Sequence, residues 1–257
     1  MAWPPPPGGT WLLDLDGVVW LSGQPIDGVD RAVKALRSEG VRPLFATNNA
    51  GLTVDQVLER LAGCGIDAER HDVVNSPQAA ASLLEPGSTV LAVCGAGALE
   101  ALAARGVKLV ERGPADAVVV GYTTAFDYDL LARAAAALHA GARLIGTNDD
   151  ATYPTPDGLL PGAGSLLAAV TTAGGVQPVV AGKPHEPMAQ LVRQRAGDVV
   201  TMVGDRPSTD GLFARRLGVP FALVLTGVTK PGAPAGQPEA DVTSASLATL
   251  VDSVLGR

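Results

Sequence analysis

The sequence predicts an α/β protein: a doubly wound, mainly parallel sheet with a second, smaller α/β lobe inserted into it. Three observations carry this prediction. Short apolar runs alternate with helix-patterned stretches along almost the whole chain, which is the order of a parallel sheet with crossover helices. Runs such as Val199-Val200-Thr201-Met202-Val203 are near-continuously apolar, as in a sheet covered on both faces. The 31 glycines and 20 prolines, about a fifth of the 257 residues, fit many tight turns between elements and stay below a low-complexity composition.

The elements follow in order. The strand run Trp11–Leu15 opens the chain, and the helix Val29–Glu39 is closed by Gly40. Pro43–Ala46 reads as a strand, then Val54–Gly63 and Pro77–Leu84 as helices. Strand Val90–Cys94, helix Ala98–Ala104, strand Ala117–Val120 and helix Tyr128–His139, closed by Gly141, come next. Strand Arg143–Gly146, helix Ser165–Thr172, strand Pro178–Ala181 and helix Glu186–Arg195 continue the alternation. Strand Val199–Gly204, helix Asp210–Leu217, strand Ala222–Leu225 and helix Ser244–Val254 complete it. Asn75-Ser76-Pro77 and Gly174-Gly175-Val176-Gln177-Pro178 read as hinges. They make residues 1–79 with 178–257 a core and residues 80–177 an inserted lobe.

Composition excludes several classes. The net charge is −7 with no Lys/Arg run, which argues against nucleic acid as a main partner. Cys64 and Cys94 are far apart and outside any Cys-x-x-Cys, so both read as free thiols in a reducing compartment. The start, Met1-Ala2-Trp3 followed by Pro4 to Pro7, lacks a secretory pattern. Gly158 to Gly182 carries no charge, but Pro161, Gly162, Gly164, Gly174, Gly175 and Pro178 interrupt it, so it reads as a buried turn-helix-turn rather than a membrane span. The expectation is a soluble, cytoplasmic protein.

Chemistry concentrates just past the strands. Asp14-Leu15-Asp16-Gly17 places two carboxylates two residues apart, on one face if the strand continues. At about 4 Å they would repel by roughly 4 kcal/mol at an effective dielectric of about 20. Oxygen ligands of this kind favour Mg²⁺. A calcium loop is excluded, since its twelfth position counted from Asp14 is Pro25. Thr47-Asn48-Asn49, Gly182-Lys183-Pro184 and Gly204-Asp205-Arg206-Pro207-Ser208-Thr209-Asp210 each follow an apolar run as well. In open α/β sheets ligands bind beyond the carboxyl ends of strands, so Asp14, Asp16, Thr47, Lys183, Asp205 and Asp210 are expected on one rim. These types suit phosphoryl transfer: a nucleophilic carboxylate, a second carboxylate for proton transfer, a metal, and Thr, backbone N–H and Lys groups for the phosphoryl oxygens. Each also has a plainer role, Asn48-Asn49 as a turn pair and Asp210 as a helix-cap acid.

Together, in this order and over nearly the whole chain, these segments resemble the haloacid dehalogenase superfamily phosphatases. The segment after Thr47, with Gly146-Thr147-Asn148-Asp149-Asp150 and Pro161-Gly162-Ala163-Gly164-Ser165, resembles the class IIA cap of 4-nitrophenylphosphatase-like and phosphoglycolate phosphatase-like members. The resemblance implies Asp14 as nucleophile and Asp16 as general acid/base. It implies Mg²⁺ held by the Asp14 side chain, the Asp16 carbonyl and Asp205, with Asp210 supporting the metal shell. It implies Gly17, Thr47, Asn48, Asn49 and Lys183 around the phosphate, and a small phosphorylated metabolite as substrate. Relatives with this cap often dimerise through it, so a homodimer is implied too. Many relatives carry Asn-Pro-Asp where this chain has Asn148-Asp149-Asp150, a departure confined to the cap.

Two other readings compete. A phospho-accepting receiver domain uses similar groups but would be about half this length. A nucleotide-binding module would need the Val93–Glu100 turn to bind a pyrophosphate, yet Glu100 stands where the last glycine belongs. That turn reads as a tight connection within the cap, and His185 as a surface or capping residue.

Overall fold

The computed structural model describes residues 3–5, 8–155, 158–234 and 236–257. Met1, Ala2, Pro6 and Pro7, part of the N-terminal reading, lie outside the described residues. The chain divides into two compact units, one of Met1–Thr47, Asp55–Val74 and Ala189–Arg257, the other of Asn48–Val54 and Asn75–Met188. The glycine-rich stretch 174–178 therefore lies inside the second unit. The reason is the strand that follows it: Val179–Val180 pairs in parallel with Ile145 and Gly146, at the edge of the second unit's sheet.

The first unit carries a six-stranded sheet in the order Val242–Ser244, Phe221–Val224, Val199–Gly204, Thr10–Leu13, Arg42–Thr47, Val73–Asn75. The pairings of Thr10–Leu13 with both neighbours, and those out to Val242–Ser244, are parallel. Thr10–Leu13 is where the strand order reverses, between Arg42–Thr47 on one side and Val199–Gly204 on the other. That crevice is where open α/β sheets hold their ligands. All four residues of Thr10–Leu13 are buried, which explains the apolar run Trp11-Leu12-Leu13. Helix Val29–Ser38 buries Val29, Ala32, Val33 and Leu36, the i, i+3, i+4, i+7 stripe of an amphipathic helix. Gly40 follows it with φ +73°.

The second unit is an α/β body in its own right. Its five-stranded sheet runs Val179–Val180, Arg143–Gly146, Ala117–Val120, Thr89–Val93, Lys108–Leu109, all in parallel. Leu91, Val93, Val118, Val120 and Leu144 of the sheet pack with Ala134, Ala137, Leu138, Leu167 and Val170 of helices Tyr128–His139 and Ala163–Gly174. The Asp127 carboxylate caps the first of these helices by accepting from the Leu130 N–H at 2.7 Å. The charge-free stretch contributes the helix Ala163–Gly174, and among the described residues no helix is long and apolar enough to cross a membrane.

Two elements differ from the sequence reading in ways that matter chemically. The first strand stops at Leu13, with the Asp14 N–H still donating to Val203 O at 2.9 Å, and residues 15–20 form a tight loop in which Leu15 O accepts from the Val18, Val19 and Trp20 N–H groups. The helix expected from Asp210 begins instead with a π-helical turn, Pro207–Gly211, before Leu212–Leu217. Arg206 O accepts from the Thr209, Asp210 and Gly211 N–H groups there. Such π-helical turns are frequent at functional sites.

Candidate functional site

Asp14, Asp205 and Asp210 form the centre of the first unit's site. They are 8%, 4% and 2% exposed, and a carboxylate oxygen from each lies within 4.8 Å of the others. Asp14 follows Thr10–Leu13, Asp205 follows Val199–Gly204, and the π-helical turn swings Asp210 inward to meet them. The Asp210 Oδ2 accepts from the Arg206 N–H at 3.2 Å, which ties the acid to the turn that positions it. Thr47, 1% exposed, is the last residue of the strand beside Thr10–Leu13. Three buried carboxylates at this separation, all hard oxygen donors, suit a divalent cation such as Mg²⁺.

The site's close packing depends on glycine. Gly17 has φ +86°, and a Cβ there would meet Asp205 Oδ2 at 2.6 Å and Gly227 Cα at 2.7 Å. The loop after strand Phe221–Val224 closes on the same place. Thr226 Oγ1 donates to Gly17 O at 2.5 Å, Val228 N–H donates to Asp205 Oδ2, and Thr229 N–H donates to Asp205 O at 3.3 Å. Sequence reasoning passed over this loop; the Thr226-Gly227 pair just past an apolar strand was the signal that could have found it.

Asp16 lies in the loop past the strand rather than on it. It is exposed, and its Oδ1 accepts from Trp20 Nε1–H at 3.0 Å. The alternation that would align the two acids holds only within a strand, and the strand has ended. Asn49 Oδ1 accepts from the Gly51 and Leu52 N–H groups at 3.0 and 3.3 Å, so its oxygen serves the turn.

Asn48 and Lys183 belong to the second unit. Lys183 is 2% exposed and follows the edge strand Val179–Val180. Asn48 Oδ1 accepts from Lys183 N–H at 2.8 Å, and Asn48 Nδ2 donates to Lys183 O at 2.9 Å. Asp149 pairs with His185 Nε2 at 3.0 Å, and that hydrogen bond holds the Asp149 carboxyl below the usual carboxylate range. The Tyr153 hydroxyl lies 2.7 Å from that of Tyr122, with the rings edge to face. Glu100 accepts from Val54 N–H at 2.7 Å and so serves the start of helix Val54–Gly63. Cys64 and Cys94 are free, and burial pushes the Cys94 thiol up to about 12.

A haloacid dehalogenase-like hydrolase family model matches residues 11–108, and a HAD-hydrolase-like one matches residues 180–250. An acid sugar phosphatase of Staphylococcus saprophyticus is 34% identical over 226 residues, covering 85% of this chain and 87% of the relative. The chain belongs to the haloacid dehalogenase-like hydrolases. Another member of the family, D-glycerol 3-phosphate phosphatase of Mycobacterium tuberculosis, is 42% identical over 224 residues; the match covers 84% of this chain and 63% of that protein, so this chain spans less than two thirds of that relative's length. A solved structure of glycerol phosphate phosphatase from Mycobacterium tuberculosis, in complex with magnesium, superposes with a TM-score of 0.86 at 37% identity, covering 95% of this chain and 76% of that one. The fold is thus that of a haloacid dehalogenase-like hydrolase.

Proposed function

We propose that this hydrolase cleaves a small phosphate monoester through an aspartyl-phosphate on Asp14. The observation that carries the reading is the buried Asp14, Asp205 and Asp210 cluster at the reversal point of the sheet, in a chain of this family. The Asp14 carboxylate attacks phosphorus, and the ester oxygen leaves with a proton supplied by Asp16. Asp16 then takes a proton from the water that hydrolyses the acyl phosphate, releasing inorganic phosphate and regenerating Asp14. Its exposure suits exchange of that proton with solvent. Thr47, Lys183 and the backbone N–H groups of Gly17, Asn48 and Asn49 hold the phosphoryl oxygens as charge redistributes. Asp14, Asp205 and the Asp16 carbonyl would hold Mg²⁺, with Asp210 supporting them; when bound, it offsets the negative charge of nucleophile and phosphate.

In this reading the second unit's segment Asn75–Met188 forms the cap insertion between the two core segments, and that lobe selects the leaving group. The names of the relatives point to short hydroxylated esters such as glycerol phosphate or a sugar phosphate; phosphoglycolate and pyridoxal phosphate are alternatives within the same chemistry. A homodimer through the inserted unit and a cytoplasmic location, in keeping with two free cysteines, complete the proposal.

The test is turnover of a panel of phosphate monoesters with Mg²⁺ and with EDTA. Asp14→Asn should abolish phosphate release without changing the melting temperature by more than a few degrees. Release at near wild-type rate by Asp14→Asn, or hydrolysis indifferent to EDTA, would refute the mechanism.

A further inference from the structure

Lys183 is held by its main chain. The Asn48 amide spans residue 183, accepting from its N–H at 2.8 Å and donating to its carbonyl at 2.9 Å. The two ends of a carboxamide are nearly the same size, so shape alone does not fix which end faces which group. The Lys183 N–H and carbonyl make that choice, and Asp150 reinforces it. Its Oδ2 accepts from Asn48 Nδ2 at 3.0 Å, and a carboxylate can only accept. The Asn48 main chain is pinned in turn: its carbonyl accepts from Asn148 Nδ2 at 2.7 Å and from Ser76 Oγ at 2.8 Å. Asn148 is oriented by accepting from Asp150 N–H at 3.1 Å. Gly182 lets the segment approach, since a Cβ there would lie 2.5 Å from Asn48 Oδ1 and 2.7 Å from Thr147 O.

We propose that Asn48 is a positioning residue for Lys183, acting through this main-chain clamp, and that Asp150 reinforces the orientation of its amide. Four separate segments, around residues 48, 76, 148–150 and 183, meet in the clamp, so its purpose is to hold one lysine in register. The side chain of Asn48 is thereby committed to Lys183 and Asp150. The proposal rests on the reading of Lys183 as a phosphate-binding group.

The experiment is a double-mutant cycle on Asn48→Ala and Lys183→Ala, read by the Ki of inorganic phosphate and by kcat/KM on 4-nitrophenyl phosphate. Misplacing a binding group by about 1 Å can cost about 10²-fold. Asn48→Ala is therefore expected to raise Ki and lower kcat/KM by about 10- to 100-fold in the intact protein. It should change either by less than about 2-fold when Lys183 is already alanine, because residues acting through one another are not additive. Equal effects of Asn48→Ala in both backgrounds would overturn the positioning role while leaving the phosphate role of Lys183 standing. A Lys183→Ala variant with unchanged Ki would instead remove that role, and the clamp's purpose with it. A second arm covers poor folding of Asn48→Ala. Asn48→Asp turns an acceptor toward Lys183 O and Asp150, and adding Asp150→Asn restores a donor. Recovery of several-fold in kcat/KM supports the orientation argument, whereas a further loss overturns it.

Discussion

Three carboxylates buried within 4.8 Å of one another should make the stability of the first unit depend on a cation. At an effective dielectric of about 20, a pair at that outer distance repels by about 3.5 kcal/mol, so three pairs sum to about 10 kcal/mol before neighbouring donors offset part of it. That is comparable with the whole stability of a domain, about 5–15 kcal/mol. Mg²⁺ at a hundredfold above its Kd should add about 2.7 kcal/mol, and in a chain of this size a melting temperature higher by about 5–10 °C. Asp205→Asn keeps an acceptor for the Val228 N–H but removes two of the three repulsive pairs. The variant should melt, without metal, at or above the wild-type temperature and lose the rise with Mg²⁺. Thermal melts in EDTA and across a Mg²⁺ titration check both signs. A wild-type melting temperature indifferent to Mg²⁺, or an Asp205→Asn variant that keeps the full rise, would refute the reasoning.

Other outcomes follow from particular contacts. Gly17→Ala, at φ +86° and against Asp205 Oδ2, should cost about 1–3 kcal/mol in urea unfolding and lower kcat by at least about tenfold, through displacement of Asp205. Gly174→Ala would place a Cβ 2.3 Å from Leu138 Cδ1 and should destabilise by about 1–3 kcal/mol while leaving Mg²⁺ binding intact. Burial works to raise the Asp241 carboxyl, but donors including the Phe221 N–H and the Arg215 guanidinium outweigh it and lower the pKa from 3.8 to about 2. A carboxyl lowered on folding stabilises above its unfolded pKa, and that stability is lost as pH falls through the folded one. Between pH 4 and 2, urea melts should therefore show a loss on the order of 1–2 kcal/mol that Asp241→Asn removes.

The strands Ala117–Val120, Arg143–Gly146 and Val199–Gly204 fall where the sequence places them, because covered parallel strands are apolar on both faces and need no alternation to be seen. The hairpins Trp20–Leu21 with Gln24–Pro25 and Thr152–Thr155 with Gly158–Pro161 escaped notice. Strands this short are made by their pairing rather than by any periodicity of their own. The glycine stretch 174–178 looked like a boundary because loop composition does not reveal which sheet the next strand joins. Asn49 was legible as a turn residue and as a phosphate group at once, since the same amide suits both.

The amino-acid sequence by itself determined the α/β architecture, the order of the acidic, threonine and lysine segments and the family they belong to, because residue type and position relative to apolar strands are local properties of the chain. Tertiary structure alone decided that Asp210 turns inward beside Asp14 and Asp205, that Asp16 faces Trp20, and that Asn48 grips the main chain of Lys183. Those outcomes depend on where a strand stops, on a π-helical turn and on contacts between residues more than a hundred positions apart in the chain, none of which a local pattern encodes.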